Sequence, residues 1–228
     1  MKINWPQEFD TNLARIETLS DAYPWEDAKA YAWWLAQTYY LVRHTTRFIA
    51  LTAARMPFDQ NWLHYKLMEH CREESGHDAM ALNDLKRLGY SIDDIPPLPE
   101  TSALYRAQYY ALEYGLPVSH FGYSFCFEGY ACRRAGQIQK VVEAAHGRGT
   151  ATFLAVHAIV DQDHFGEAFN ILEKLSPVEG EEIRENLVLS CYLYEGMMKR
   201  LMSEQIRSTT ISPIQKPRIA EPVQASLL

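Results

Sequence analysis

Long segments in which apolar residues return every three or four positions, parted by short breaks bearing glycine or proline, leave this 228-residue chain little choice of architecture. From about Trp25 to Arg55 the apolar stripe runs through Ala32, Leu35, Tyr39, Val42, Phe48 and Leu51, and Pro57 ends it. A second stripe covers about Asn61 to Leu88 and stops at Gly89; a third covers about Thr101 to Tyr114, after the turn Ile95-Pro96-Pro97-Leu98-Pro99. Further helices are expected over about Val118–Ala145 and Thr150–Leu175, with Gly147-Arg148-Gly149 between them. Ser176-Pro177-Val178-Glu179 has the form of a capping box, and it predicts a helix reaching about Ile206. No alternation of period two persists, so the expected fold is all-α, a single-domain bundle of about seven helices over residues 1–207. Residues 208–228, with Pro213, Pro217 and Pro222, read as an extended C-terminal tail.

The net charge of −7 argues against nucleic acid as a partner, because phosphate binding needs clustered Lys and Arg. No apolar run is long enough for a membrane span. The first residues lack the basic-then-apolar order of a secretory leader, and Cys71, Cys126, Cys132 and Cys191 show no CxxC spacing. Reduced thiols in a cytoplasmic protein are the expectation.

Two of the expected helices carry the same string, His-x-x-x-acid-x-x-His: His70, Glu74 and His77 on one, His157, Asp161 and His164 on the other. Positions i, i+4 and i+7 of a helix fall within roughly 60° of each other, so each string projects from one stripe. Around the second string the neighbours at similar angles are apolar (Leu154, Ala158, Ala168), so a face that would otherwise be core is interrupted by charge. A buried carboxylate without compensation costs several kcal/mol, roughly, and a divalent metal supplies what is missing. Helix bundles build such sites from inward acid-x-x-His pairs with further carboxylates. Glu74-Ser-Gly-His77 and Asp161-Gln-Asp-His164 are the two pairs, and Glu128, alone among Phe125, Phe127 and Tyr130, is the further carboxylate. Gly122, Gly129, Ala131 and Ala135 nearby would let another helix approach. The expected ligand set is Glu74, His77, Glu128, His157, Asp161 and His164. Mixed imidazole and carboxylate donors favour iron or manganese over structural zinc.

A single acid-x-x-His pair on a helix is ordinarily a solvated ion pair; the doubling and the lone Glu128 are what set this chain apart. His70 is open to two readings, a ligand replacing or supplementing Glu74, or a hydrogen-bonded residue at the rim. His44 reads as a polar-face or pocket residue, and His64, His120 and His146 as surface or capping residues. Asp163 and Glu167 read as solvated, Cys126 as core, and Trp33, Trp34, Tyr39 and Tyr40 as core or pocket wall.

The stretches His70-Cys-Arg-Glu-Glu-Ser-Gly-His77, Gly122-Tyr-Ser-Phe-Cys-Phe-Glu128 and His157-Ala-Ile-Val-Asp161-Gln-Asp-His164 resemble the haem-oxygenase-like diiron oxidases and oxygenases, relatives of the TenA and PqqC-type proteins. The resemblance spans roughly residues 25–205. It implies a seven-helix haem-oxygenase-like fold, a homodimer, and two iron ions that use O2 to oxidise a small amino-acid-like or fatty-acid-like substrate. Decarboxylation, fragmentation and N-oxygenation are chemistries of the group. Some members carry a carboxylate seven residues before the first ligand His, where this chain has His70; in others it stands three before, as Glu74 does. Two other classes of function stay in view. One is a metal-free TenA-like hydrolase of thiamine-type compounds with Cys126 as nucleophile. The other is a non-enzymatic haem-binding or partner-binding protein with His44 as axial ligand.

Overall fold

The structure, a computed structural model, describes residues 3–213, except the side chains of 160–165, 167 and 168. Asp161 and His164, with Asp163 and Glu167, therefore lie outside the described side chains, as does residues 214–228 of the tail. Among the described residues the elements are helices only, as the periodicity predicts.

Helix α1 (Trp5–Asp21) precedes every helix expected from the sequence. Its signals are nevertheless ordinary ones: Asn4 caps it by accepting from the Gln7 amide, Pro6 sits in the first turn, and Phe9, Leu13 and Ile16 repeat at helical spacing into the core. The run expected over Trp25–Arg55 is two helices, α2 (Ala28–Val42) and α3 (Thr45–Arg55), separated at Arg43-His44 without a glycine or proline. Along α2 the residues from Tyr31 to Thr38 are all buried, which makes it the central helix. Gln37, fully buried, accepts from the Leu98 amide and the Thr101 hydroxyl and donates to the Pro96 carbonyl, so the proline turn is tied to α2.

The run expected over Asn61–Leu88 also divides, into α4 (Asn61–Glu73) and α5 (His77–Arg87). Its cause is local: Gly76 has φ +97°, a left-handed conformation that ends one helix and starts the next. Beyond them come α6 (Pro99–Tyr114), α7 (His120–His146), α8 (Thr152–Leu172), α9 (Pro177–Leu201) and the short α10 (Glu204–Ser208). The capping box at Ser176 and Glu179 is present with both of its hydrogen bonds. Helix α7 packs on α8 and α9, α5 on α2 and α8, and α4 on α3. At Gly122 the α7 and α9 backbones come so close that a Cβ would stand 2.4 Å from both the Ile183 carbonyl oxygen and the Leu187 nitrogen. None of the helices among the described residues is long and apolar enough to cross a membrane.

Candidate metal centre

The α4–α5 break sets the geometry of the site. Glu74 is the residue that closes α4, and His77 is the first residue of α5. The helical period of the sequence puts both on one uninterrupted stripe; in the fold they meet across a tight turn instead. His77 Nδ1 lies 3.1 Å from Glu74 Oε2, and both side chains are about nine-tenths buried, each 9% exposed.

His157 joins them from α8. Its Nδ1 donates to the Phe153 carbonyl 2.8 Å away, one helical turn back, which makes Nε2 the acceptor nitrogen of the neutral ring. Its ring meets that of His77 with centroids 4.7 Å apart and planes at 72°. One ligand atom each from Glu74, His77 and His157 lies within 4.8 Å of the other two. Two imidazoles and a carboxylate, converging and largely buried, fit a hard-to-borderline divalent ion such as iron or manganese, and none of the three is a thiolate.

The relation of α5 to α8 is fixed by Asp84, a residue that no motif in the sequence marks. Asp84 is fully buried on α5, seven residues and so about two turns beyond His77. Its carboxylate accepts from the Thr152 hydroxyl at 2.7 Å and the Phe153 amide at 2.9 Å, capping the first turn of α8. Burial raises its pKa, against the pull of those hydrogen bonds and of Arg87. The available signal was that Asp84 falls on the same face of α5 as His77.

Glu128, expected as the further carboxylate, reaches the same place from α7. Its contact with the trio runs through His70, whose Nε2 is 3.6 Å from Glu74 Oε1 and 3.8 Å from Glu128 Oε1. His70, for which the sequence allows two roles, thus stands between the two carboxylates. Burial pushes Glu128 up to about 7; His70 pulls it down and the Glu74 charge pushes it further up. For Glu74 burial also opposes ionisation. The hydrogen bonds from His70 and His77, with the fields of His77 and His157, outweigh it, and the carboxyl lies well below the usual range. Burial lowers His70, but Glu74 and Glu128 outweigh that and leave the ring's pKa raised.

A cavity of about 90 Å³ adjoins these groups, with His70, Glu74, Glu128 and His157 at its polar side. Its remaining wall is largely aromatic and aliphatic: Trp34, Tyr123, Phe127, Tyr194 and Leu154, with Ala131 and Ala135 leaving room. Among the described residues no lysine or arginine lines it. Of the aromatic stripe on α2, Trp34 faces this cavity, donating to the Tyr194 hydroxyl at 3.1 Å, and Tyr39 and Tyr40 do not.

The other histidines are placed as follows. His44 is not in the cavity wall: its ring stacks on Tyr105, Nδ1 pairs with the Tyr109 hydroxyl at 2.9 Å, and burial with Arg43 and Arg47 pushes its pKa down to about 4. His120, expected at the surface or as a cap, is buried; desolvation lowers it to about 3, and its Nε2 pairs with the Ser124 hydroxyl. His64 pairs with the Ala53 carbonyl and His146 with the Trp25 carbonyl, both half-buried. Cys126 is in the core, against Cys191 and outside the cavity wall.

Comparison with known proteins adds two kinds of likeness. A family described as iron-containing redox enzyme matches residues 32–195. No curated protein matches the chain. Among solved structures, a domain of unknown function with a haem-oxygenase-like fold from Shewanella denitrificans superposes with a TM-score of 0.76 at 19% identity, covering 88% of this chain and 93% of the other. A TenA homologue from Pseudomonas syringae pathovar tomato gives 0.72 at 15% identity, covering 87% and 93%. Another from Pyrococcus furiosus gives 0.55 at 16%, covering 76% and 84%. At these identities the structures establish the fold, haem-oxygenase-like and all-α.

Proposed function

This chain belongs to the iron-containing redox enzyme family, and on that premise we propose that it is a non-haem diiron oxidase or oxygenase acting with O2 on a small amino-acid-like or fatty-acid-like substrate. The observation that carries the reading is the convergence of Glu74, His77 and His157 beside a mostly apolar cavity. These three residues would hold one ion, with Glu128, Asp161 and His164 completing a two-ion set. Bound iron would supply the electrons that O2 needs in order to react with an organic substrate.

The residues around the centre have separate tasks. The Phe153 carbonyl orients His157, and Asp84 holds the α8 end against α5, so the imidazoles of His77 and His157 are set before any ion arrives. Trp34, Phe127 and Tyr194 exclude water from the space where a substrate would lie. Glu128, beside His70 and with its carboxyl pushed up to about 7 by burial, would give up its proton on becoming a ligand when the ions bind. Among the described residues a carboxylate on the substrate would have no lysine or arginine to meet it in this cavity, so its charge would be answered at the metal centre.

The metal-free hydrolase reading needs a nucleophile in the cavity, and Cys126 is turned toward Cys191 instead. Two measurements test the redox reading. Protein loaded anaerobically with Fe(II) should bind more than one iron per chain, and His157→Ala with His164→Ala should abolish that. An oxygen electrode should then show O2 uptake accelerated by one compound from a panel of amino acids and fatty acids. Less than one iron per chain, unchanged by the double variant, sinks the proposal. The resemblance also leads us to propose a homodimer, which light scattering on the purified chain checks.

A further inference from the structure

Two buried thiols meet where α7 and α9 run closest. The Sγ atoms of Cys126 and Cys191 are 3.1 Å apart, and both residues are free cysteines. The meeting follows from the helix geometry. Gly122 brings the α7 backbone against α9 at Ile183 and Leu187. One turn further along each helix stand Cys126 and Cys191. Neither lines the cavity of the metal centre. Cys191, however, lines a separate groove of about 230 Å³ between α1 and α9, together with Thr11, Asn12, Arg15, Tyr192 and Glu195. One thiol of the pair thus borders a solvent-facing groove, and the other lies fully buried behind it.

We propose that Cys126 and Cys191 are a modification site, a reversible intrachain disulfide in which Cys191 meets the oxidant and Cys126 resolves it. The oxidant is a hydroperoxide. The Cys191 sulfur attacks its terminal oxygen, the O–O bond breaks, and the remainder leaves as water or an alcohol, so that Cys191 becomes a sulfenic acid. The Cys126 sulfur then attacks the Cys191 sulfur. The S–S bond forms as the S–O bond breaks, and the Cys126 proton departs with the hydroxyl as water. Two electrons pass from the thiol pair to the peroxide, and a dithiol reductant returns them. The sulfurs must close from 3.1 Å to a bond of about 2.05 Å, a movement of about 1 Å. The bond ties α7 one residue before Phe127 to α9 three residues before Tyr194, and those two rings pack 5.0 Å apart in the cavity wall. Oxidation therefore fastens two walls of the cavity together without touching its polar side.

The test uses the full chain carrying Cys71→Ser and Cys132→Ser, which leaves the pair as the only thiols. The folded protein is exposed to hydrogen peroxide, denatured with thiols blocked, and read by non-reducing peptide mass spectrometry. Both thiols should be lost together in one intrachain cross-link, two hydrogens lighter, that dithiothreitol reverses. In Cys126→Ala the sulfenic acid on Cys191 should accumulate and be trapped by dimedone, whereas Cys191→Ala should leave Cys126 unlabelled while folded. Circular dichroism checks that each variant retains its helices. Three outcomes overturn the proposal: thiols that react only after unfolding, cross-links between chains, or dimedone labelling of Cys126 in the folded Cys191→Ala protein. The metal reading plays no part in this test, so the two stand or fall separately.

Discussion

His77 and His157 face each other with ring centroids 4.7 Å apart, one opening α5 and the other in the body of α8, and Asp84 is the residue that holds those two helices in that relation. Removing its carboxylate leaves the Thr152 hydroxyl and the Phe153 amide without their acceptor in the core. Asp84→Ala should therefore cost about 3 kcal/mol in urea unfolding. Asp84→Asn, which keeps one acceptor oxygen, should cost less. If the two variants are equally stable to wild type, the cap does not position α8.

Ligand replacement should separate the metal centre from its surroundings. His77→Ala and His157→Ala should each weaken Mn(II) or Fe(II) binding by about 100-fold or more in equilibrium dialysis, through lost coordination. His44→Ala should leave binding unchanged, because its ring lies outside the cavity wall, between Tyr105 and Tyr109.

Glu128 should leave a mark on the pH dependence of the metal-free protein. Its folded pKa is raised from 4.5 to about 7, so as pH climbs the unfolded carboxyl ionises first. A raised carboxyl favours the fold less at high pH: stability should fall between these two values and level off above them. Glu128→Gln should remove that slope and be more stable than wild type at pH 8 by about 2 kcal/mol, read from chemical denaturation. Metal binding by the wild type should strengthen over the same interval, because the ion displaces the proton.

Two glycines should respond differently to the same methyl group. At Gly122 an added Cβ meets two backbone groups of α9 at 2.4 Å, and neither can rotate away. Gly122→Ala should cost about 3 kcal/mol by forcing α7 and α9 apart. Nothing lies within 4 Å of a Cβ at Gly76, and there the cost is that of the left-handed backbone alone. Gly76→Ala should cost about 1–2 kcal/mol, and Gly76→Asn less. Equal losses at the two alanine variants would show that the close approach of α7 and α9 yields easily.

The bundle was legible in the chain because long runs of period 3.6 admit no other reading, and the Ser176-Pro177-Val178-Glu179 cap is where its pattern placed it. The break at Arg43-His44 was not legible, since no residue there forbids a continuous helix. The break at Gly76 had a visible sign, a glycine inside a helical pattern, which the symmetry of the two His-x-x-x-acid-x-x-His strings outweighed. That symmetry drew attention to Glu74, His77 and His157, whose ligand atoms the fold brings together, and it also matched His70 to His157, although the fold gives them different neighbours. His70 pairs with two carboxylates, while His157 takes a main-chain acceptor. Asp84 and α1 were readable from spacing alone, but only tertiary packing gave Asp84 its role.

Helix α4 packs mainly on α3, whereas α5 is held by α2 and α8, and only a three-residue turn joins α4 to α5. With Glu74 at the end of α4 and its partners His77 and His157 on the other side of that turn, an ion bound between them would act as a clasp on a peripheral helix. Amide hydrogens along α4 should therefore exchange with deuterium faster than those of α5 in the empty chain, and slow selectively once the clasp is shut.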